Sequence, residues 1–284
     1  ASIDDASEAA PGQISARDLA GVFRVKELDR ATEVFGIVAG DSSYSASPWM
    51  HNAAFRAAKM NRVFVPLQVK ELGVFIRRMV KPETREIDLN FRGFSVTNPH
   101  KQAIIQHLDE IDETAAKIGA VNTVKIDGGR LRGFNTDAAG FIGPLLERRP
   151  DLKGSRAVIV GAGGAARACI YSLREAGAEV TVLARDSAKA EPLAAEFGVA
   201  IGEFAPGGAL PECDVLVNAT PLGTKGEQES RSIVFAEGLG KIGLVYDLNY
   251  NPLETELIRQ AKLAGVPAIG GLEMPWVAGD FIYV

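Results

Sequence analysis

The stretch RAVIVGAGGAARACIYSL, residues 156–173, is the part of the chain from which the fold is most directly inferred. An apolar run typical of a buried strand ends there at a glycine, and an amphipathic run typical of a helix follows. Gly161, Gly163 and Ala166 have GxGxxA spacing at that junction. The first glycine permits a tight turn, the second admits a pyrophosphate close to backbone N–H groups, and the helix N-terminus presents unpaired donors. The stretch predicts a dinucleotide-binding turn; a glycine-rich turn without a ligand is the alternative.

Strands and helices alternate on both sides of this turn, which predicts parallel sheets covered by helices. The downstream segments are the strand EVTVLAR, the helix SAKAEPLAAEFG, the strands DVLVNAT and GLVYDLN, and the helix LETELIRQAKLAG. The upstream segments are the strand EVFGIVAG, the helix SPWMHNAAFRAAKM, the strand RVFVPLQV, the amphipathic ELGVFIRRMV, the strand FSVTNP and the helical HKQAIIQHL. Alternating side chains around a DGG turn at 121–135 predict a β-hairpin instead.

The chain length and composition restrict the classes of protein to consider. At about 150 residues per domain, 284 residues make slightly less than two domains. With 31 Lys and Arg against 36 Asp and Glu, the net charge is −5 and no basic run suits nucleic acid. Cys169 and Cys213 are too few for a disulfide framework or a zinc site, so no metal is expected. No apolar run reaches the length of a membrane span, and we expect a cytoplasmic protein.

The residues after the second predicted nucleotide-binding strand indicate which dinucleotide binds. An acidic residue there would bind a free ribose 2′-hydroxyl, but Ala184 and Arg185 occupy the position. Arg185 and Lys189 offer two cations for a 2′-phosphate, provided that Asp186 turns away to cap the next helix. This pattern favours NADP over NAD, and solvated surface cations are the alternative.

Four polar clusters lie at predicted strand ends or turns of the first half, where α/β proteins bind ligands. They are SAS at 45–47, TNPHK at 97–101, VNT at 121–123 and GFNTDAAG at 133–140. Each has a structural alternative, such as a helix cap at Ser47 or a turn residue at Asn122. Together they supply hydroxyls, amides, one cation and one carboxylate, which suit a small polyhydroxylated acid.

These motifs, in this order and spacing, make the chain resemble the shikimate dehydrogenase family over residues 33–274. The resemblance rests on SASPxxHN, SVTNPHK, GAVNT, GFNTDAAG, GAGGAARA, VNATPLG and YDLNYNPLET. It implies NADP-dependent interconversion of 3-dehydroshikimate and shikimate, a step of aromatic amino acid biosynthesis. It also implies two α/β domains, one a Rossmann-type doubly wound NADP-binding domain and one a substrate-binding domain, with the active site in the cleft between them.

The resemblance implies a role for each matching residue. Lys101 and Asp137 would be the catalytic pair, with Lys101 donating a proton to the C3 oxygen. The implied substrate ligands are Ser45, Ser47, Thr97, Asn122 and Tyr250, besides Asp137 itself. The implied cofactor ligands are Gly161, Gly163, Gly164, Ala165, Arg185, Lys189, Asn218, Thr220 and Gly271. The predicted domains are a linker or tail at 1–30, a substrate-binding domain at 31–140 with 271–284 packing back on it, and the NADP-binding domain at 141–270.

The sequence departs from the family pattern at three places. Tyr44 replaces the usual His before the first serine, Ala184 replaces an Asn before the clamp Arg, and the expected substrate-binding Gln would fall near Ala278. Two other functions remain open at this point. One is a quinate/shikimate dehydrogenase, although Ser47 favours shikimate, and the other is a non-catalytic sensor of NADP and substrate, against which Lys101 and Asp137 argue.

The first residues carry a second resemblance. ASEAAPGQISARDL, residues 6–19, is similar to the C-terminal tail of a type I dehydroquinate dehydratase. This implies a dehydrogenase covalently joined to a dehydratase, in the cytoplasm or, in a plant-type bifunctional enzyme, in a plastid. Because the match contains no dehydratase active-site Lys, the chain itself should have no dehydratase activity. We expect no helix or strand before Val34, so that deletion of residues 1–25 would cost little stability.

Overall fold

In the computed structural model of the chain, residues 14–43, 45–206 and 208–274 are described. The chain forms two compact units. The first contains residues up to 116 and residues 120–134, and the second contains residues 117–119 and the chain from 135 onward.

The first unit is built around a six-stranded mixed sheet. Its strands are β1 (Glu33–Ala39), β2 (Arg62–Gln68), β3 (Phe91–Val96), β4 (Glu110–Ile111), β5 (Thr123–Asp127) and β6 (Arg130–Phe134). They lie in the order β2-β1-β3-β5-β6-β4. Strand β1 is parallel to both of its neighbours, whereas β5 is antiparallel to β3 and to β6. The predicted parallel start and the predicted hairpin are both confirmed.

The helices of this region are short. They are α1 (Ala16–Gly21), α2 (Ser47–Ala57), α3 (Leu72–Phe75) and α4 (Glu113–Ile118), with a π-helical turn at Ile76–Val80 and a 3₁₀ helix at Ala103–His107. One side of the sheet is covered by a cluster of buried apolar side chains that includes Phe75, Phe94 and Ile104. Phe75 meets Phe94 edge to face, with ring centroids 5.7 Å apart.

Helix α1 corrects the expectation that no helix precedes Val34. The side chain of Ser15 accepts a hydrogen bond from the backbone N–H of Asp18, which caps the helix at its N-terminus. Phe23, just after the helix, is only 4% exposed. A helix of six residues is too short for its apolar period to be recognised in the sequence. Burial of Phe23 next to it supplies stabilisation that local helix propensity lacks.

The second unit contains an all-parallel sheet with helices on it. Its strands are β7 (Arg156–Val160), β8 (Glu179–Ala184), β9 (Ala200–Glu203), β10 (Val215–Asn218), β11 (Val245–Asp247) and β12 (Ala268–Ile269). Its helices are α5 (Asp137–Arg148), α6 (Gly164–Glu175), α7 (Ser187–Phe197) and α8 (Glu256–Leu263), with a short 3₁₀ turn at Ala236–Gly238.

The strand order of this sheet is β12-β11-β10-β7-β8-β9. The chain leaves β7 toward β8 and later returns to β10 on the other side of β7, which is the doubly wound arrangement. Strands β7 and β10 are buried along nearly their whole length, as both faces of a parallel sheet are covered. The order places a topological switch point at the carboxyl end of β7, where ligands bind in such sheets.

Candidate active site

The glycine turn after β7 has the geometry that a pyrophosphate site requires. Gly161 has a φ of +116°, and a Cβ there would lie 2.8 Å from the carbonyl oxygen of Ala219. Gly163 is the N-cap of α6, and a Cβ there would meet open space. Gly164 and Ala165 form the first turn of the twelve-residue helix α6, where the backbone N–H groups have no intrahelical acceptor and can bind an anion. The turn therefore fits the dinucleotide pyrophosphate predicted from the sequence.

The predicted 2′-phosphate site after β8 depends on whether Asp186 turns away to cap the next helix. Arg185 is exposed, and Asp186 is the N-cap of α7, accepting a hydrogen bond of 3.1 Å from the backbone N–H of Lys189. The Lys189 ammonium lies 2.9 Å from the other Asp186 oxygen. These contacts lower the pKa of Asp186 and raise that of Lys189. Asp186 therefore caps α7, as the prediction required. Because Lys189 is already paired with Asp186, Arg185 is the better placed of the two cations for a 2′-phosphate.

A buried polar cluster follows β10 and β11. Asn218, the last residue of β10, is fully buried, and its Oδ1 accepts hydrogen bonds from the backbone N–H and Oγ1 of Thr220, at 3.0 and 2.7 Å. Its Nδ2 donates to Oδ1 of Asp247, the last residue of β11, at 3.0 Å. Burial raises the pKa of Asp247 to about 6, although its hydrogen-bond donors oppose that shift. The sequence pattern indicated Asn218 and Thr220 but not Asp247, whose only signal in the sequence is that of an acid at the end of an apolar strand.

Gly271 and Tyr250 lie beside this cluster in the chain's fold. A Cβ on Gly271 would collide with the carbonyl group of Leu248 and would lie 2.7 Å from the carbonyl oxygen of Asn249. The Gly271 N–H donates to that Asn249 oxygen at 3.2 Å. Tyr250 is half-buried in the loop after β11. Gly271 is therefore needed for the close approach of the two segments, whatever else it binds.

The serine pair of the first unit lies at the start of α2. Ser45 is buried, and its Oγ accepts a hydrogen bond of 3.2 Å from the backbone N–H of Ser47. Ser47 is the first residue of the helix and is followed by Pro48 at a position that favours proline. Of the sequence positions that depart from the family pattern, Tyr44 and Ala278 lie outside the described residues, as does the segment 275–284.

Thr97, Lys101 and Asn122 lie in segments that meet at one end of the first sheet. Thr97 directly follows β3, and its N–H donates to the carbonyl oxygen of Val38 at 3.0 Å. The carbonyl oxygen of Lys101 accepts from the N–H of Val121 at 2.8 Å, and that of Asn122 accepts from the N–H of Val96 at 2.7 Å. Lys101 and Asn122 are half-buried. The antiparallel pairing of β3 with β5 is the reason these three segments converge.

Asp137 belongs to the second unit, as the first residue of α5. It is 8% exposed, and the Oδ1 of the nearby Asn135 accepts a hydrogen bond of 3.3 Å from the N–H of Ala138. The Oγ of Ser172 in α6 donates to the carbonyl oxygen of Ala138 at 3.1 Å, which ties the start of α5 to the glycine-turn helix. A carboxylate at a helix N-terminus is stabilised by the helix dipole.

In the described part of the chain, no group of three or more His, Cys, Asp or Glu side chains could hold a metal ion. Within the same residues, no helix is both long and apolar enough to cross a bilayer.

Comparisons with known proteins identify relatives of both units. Residues 37–124 match the family described as the shikimate dehydrogenase substrate-binding domain, and residues 145–225 match the family described as shikimate/quinate 5-dehydrogenase. The shikimate dehydrogenase (NADP(+)) of Methanothermobacter thermautotrophicus is 40% identical over 252 residues, covering 86% of this chain and 87% of its own.

Solved structures agree with the sequence relatives. A crystal structure of a shikimate dehydrogenase in complex with NADP+ is 37% identical, with a TM-score of 0.77 and coverage of 89% of this chain and 88% of the other. A second, shikimate 5-dehydrogenase from Thermus thermophilus in complex with NADP(H) and shikimate, is 36% identical, with a TM-score of 0.73 and coverage of 88% and 91%.

Proposed function

This chain belongs to the shikimate dehydrogenase family, and we propose from that membership that it catalyses the reversible, NADP-dependent reduction of 3-dehydroshikimate to shikimate. It is an oxidoreductase acting on a CH–OH group, with NADP as its cofactor. The structural observation that supports this function most strongly is the turn after β7. Gly161 adopts a left-handed φ against Ala219, and Arg185 rather than an acid follows β8. A 2′-phosphorylated dinucleotide suits that combination.

The proposed cofactor ligands are those that match the family pattern. Gly161, Gly163, Gly164 and Ala165 would hold the pyrophosphate through backbone N–H groups and the N-terminus of α6. Arg185, with Lys189 as a weaker second cation, would hold the 2′-phosphate. Asn218, Thr220 and Gly271 would line the nicotinamide side. When bound, the reduced cofactor supplies the hydride.

Most of the proposed substrate ligands belong to the first unit. Ser45 and Ser47 would bind the substrate carboxylate, with Tyr250 completing that end, and Thr97 and Asn122 would bind ring hydroxyls. Lys101 would act as the general acid, donating its proton to the oxygen at C3 on reduction and recovering it on oxidation. Asp137 would accept a hydrogen bond from the same hydroxyl and so fix its orientation.

The decisive experiment is an NADPH absorbance assay with 3-dehydroshikimate, and in reverse with shikimate and NADP. We expect turnover in both directions, a preference for NADP over NAD, and a lower kcat/KM for quinate. Quinate carries an additional hydroxyl, and a buried unpaired hydroxyl costs about 1 to 3 kcal/mol. Equal kcat/KM values for the two acids would make the chain a dual-specificity enzyme, and binding of NADP without turnover would make it a sensor.

A covalent fusion to a dehydroquinate dehydratase is a separate proposal. It is supported only by residues 6–19, of which 6–13 lie outside the described residues. The test is the complete reading frame together with a dehydratase assay of the native protein. A reading frame with no dehydratase sequence upstream would exclude the fusion. The cytoplasmic location is a separate prediction.

A further inference from the structure

The carboxylate of Asp247 is surrounded by hydrogen-bond donors. The side chain is fully buried at the carboxyl end of β11. Its Oδ1 accepts from Asn218 Nδ2 at 3.0 Å and from the backbone N–H of Asn249 at 3.1 Å. Its Oδ2 accepts from Thr255 Oγ1 at 2.6 Å. An ionised carboxylate can only accept hydrogen bonds, so its chemistry matches its surroundings.

This acceptor fixes which way the neighbouring amide faces. Because Asn218 directs its Nδ2 at Asp247, its Oδ1 must face the opposite way, toward the two donors of Thr220. The reversed amide would set an oxygen against the Asp247 carboxylate and an NH₂ group against the Thr220 N–H. Asp247 therefore fixes the orientation of Asn218 together with the Thr220 N–H and the Leu222 carbonyl oxygen.

The oriented amides hold the loop 219–224 from two sides. Asn218 Nδ2 also donates to the carbonyl oxygen of Leu222, at 3.0 Å. Asn249 Nδ2 donates to the carbonyl oxygens of Thr220 and Leu222, at 3.0 and 2.9 Å, and its Oδ1 accepts from Thr224 Oγ1 at 2.9 Å. The loop has no regular secondary structure of its own, so these side-chain contacts hold it in position together with backbone bonds such as that from the Ala219 N–H to the Val160 carbonyl oxygen, at 2.9 Å.

The strand order shows which other segments lie at the same edge of the sheet as the loop 219–224. The glycine turn follows β7, Arg185 follows β8 on one side of it, and Asn218 and Asp247 end β10 and β11 on the other. A dinucleotide bound across the switch point with its 2′-phosphate at Arg185 has its other half over the ends of β10 and β11. The loop 219–224 and residues 248–250 are the segments at those ends.

We propose that Asp247 is a positioning residue, which acts through Asn218 and Asn249 to hold the loop 219–224 in the place where the nicotinamide half of the cofactor rests. This inference deepens the proposed function and rests on it for the identity of the cofactor. Asp247 touches neither cofactor nor substrate in this scheme. A displacement of about 1 Å at a reacting centre can cost about 100-fold in rate. We therefore expect the loss of Asp247, which acts on the nicotinamide only through the loop, to lower turnover more than it lowers the affinity for the cofactor.

The test compares Asp247→Ala with Thr255→Val in the full chain. Asp247→Ala removes the acceptor of both Asn218 Nδ2 and the Asn249 N–H. Thr255→Val removes the Oδ2 contact and the cap of α8 but leaves both Asn218 and Asn249 in contact with Asp247. Thr255→Val is therefore the matched control for lost stability.

Three quantities are measured for each protein: the melting temperature, kcat with 3-dehydroshikimate, and the emission of NADPH on binding. We expect Asp247→Ala to lower kcat by about 30-fold or more, to keep the NADPH dissociation constant within about threefold, and to reduce the emission change of the bound reduced nicotinamide. Thr255→Val should lower the melting temperature while kcat stays within about threefold of the original.

Two results would overturn the inference: an Asp247→Ala protein with unchanged kcat and NADPH emission, or equal losses of kcat in both variants. If Asp247→Ala does not fold, Asn249→Ala replaces it, and a normal kcat in that variant overturns the inference equally. An original protein that does not reduce 3-dehydroshikimate would reject the proposed function, and the NADPH emission of the variants would still decide the role of Asp247.

Discussion

Lys101 and Asp137 are restrained by the fold in different ways. Lys101 follows β3 in an irregular turn, which is held by the bond from Val121 to its carbonyl oxygen. Asp137 begins a twelve-residue helix and is buried, so its carboxylate has little conformational freedom. The side chain proposed as the acid thus sits on a turn, and the side chain proposed to orient the substrate hydroxyl sits on a rigid element.

The Lys101→Ala variant should lower kcat by about 10² to 10⁴-fold, the usual contribution of a positioned general acid. Substrate affinity should change less, because the proposed hydroxyl ligands, such as Thr97 and Asn122, remain. Steady-state kinetics with 3-dehydroshikimate measures both quantities, and Lys70→Ala, at an exposed lysine of the same unit, is the control. A loss confined to KM would make Lys101 a binding residue.

The Arg185→Ala variant should bind NADP about 30- to 100-fold more weakly, because a charge-assisted bond to the 2′-phosphate is worth about 2 to 3 kcal/mol. Its affinity for NAD should be unchanged, so the two dissociation constants converge. Titration of the protein with each dinucleotide measures this, with Arg174→Ala, another exposed arginine of the same unit, as the control. If the two affinities stay apart in the Arg185 variant, another group binds the phosphate.

Asp247 should make stability depend on pH between about 4 and 6.5. Its pKa rises on folding from 3.8 to about 6, so in this range the folded chain holds a proton that the unfolded chain has released. Stability from this group is therefore lost as the pH rises. A pKa difference of about 2 corresponds to about 3 kcal/mol. The free energy of unfolding relative to Asp247→Asn, measured in urea, should fall by about that amount from pH 4 to pH 7, and a constant difference would contradict it.

At the level of elements, several short segments are held in place by a small number of specific contacts with neighbouring residues. The loop 219–224 is held by Asn218 and Asn249, and Gly271 packs directly against the loop after β11. Helix α1 has one side-chain cap and is followed by one buried ring.

For α1, the Phe23→Ala variant should lower the free energy of unfolding by about 3 kcal/mol, because truncating a buried phenylalanine typically costs about 3 to 5 kcal/mol. Val25→Ala, at a position that is 43% exposed, should cost far less. Chemical denaturation of both variants measures the difference. Equal effects would show that the buried Phe23 ring contributes little stability, as the sequence expectation for residues 1–25 had it.

At the level of the whole molecule, each unit has its own sheet and its own buried apolar cluster. The residues proposed to bind NADP all belong to the second unit, whereas most of those proposed to bind the substrate belong to the first. Cofactor binding should therefore be measurable as a stabilisation even without substrate.

NADP at 100 times its dissociation constant should stabilise the folded chain by about 2.7 kcal/mol, since a ligand that binds only the native state shifts the folding equilibrium by mass action. NAD at the same concentration should give a smaller shift. Thermal denaturation with each dinucleotide measures this, and Arg185→Ala should remove the difference between them. Equal shifts with the original protein would contradict the predicted preference for NADP.

The sequence alone determined the elements whose pattern is strong and local. Strands β7 and β8 are runs of apolar residues bounded by glycine or charge, and the GxGxxA spacing between β7 and α6 places the nucleotide turn. The hairpin of β5 and β6 is equally local, because alternation on both sides of DGG specifies it. Cysteine count, charge and the absence of long apolar runs needed no fold at all.

Tertiary structure decided the elements whose own residues are ambiguous. Helix α5 contains Gly140, Gly143 and Pro144 and so lacks a clear helical signature, yet its apolar side, including Phe141, packs into the core of the second unit. The short strands β4, β9 and β12 exist through pairing with neighbours that are distant in sequence. In the candidate site, the surroundings of Asp247 are likewise decided by the tertiary structure, since only the convergence of β10, β11 and α8 brings Asn218 and Thr255 to its carboxylate. A local pattern encodes what one segment prefers, whereas burial and hydrogen-bond partners depend on which segments meet.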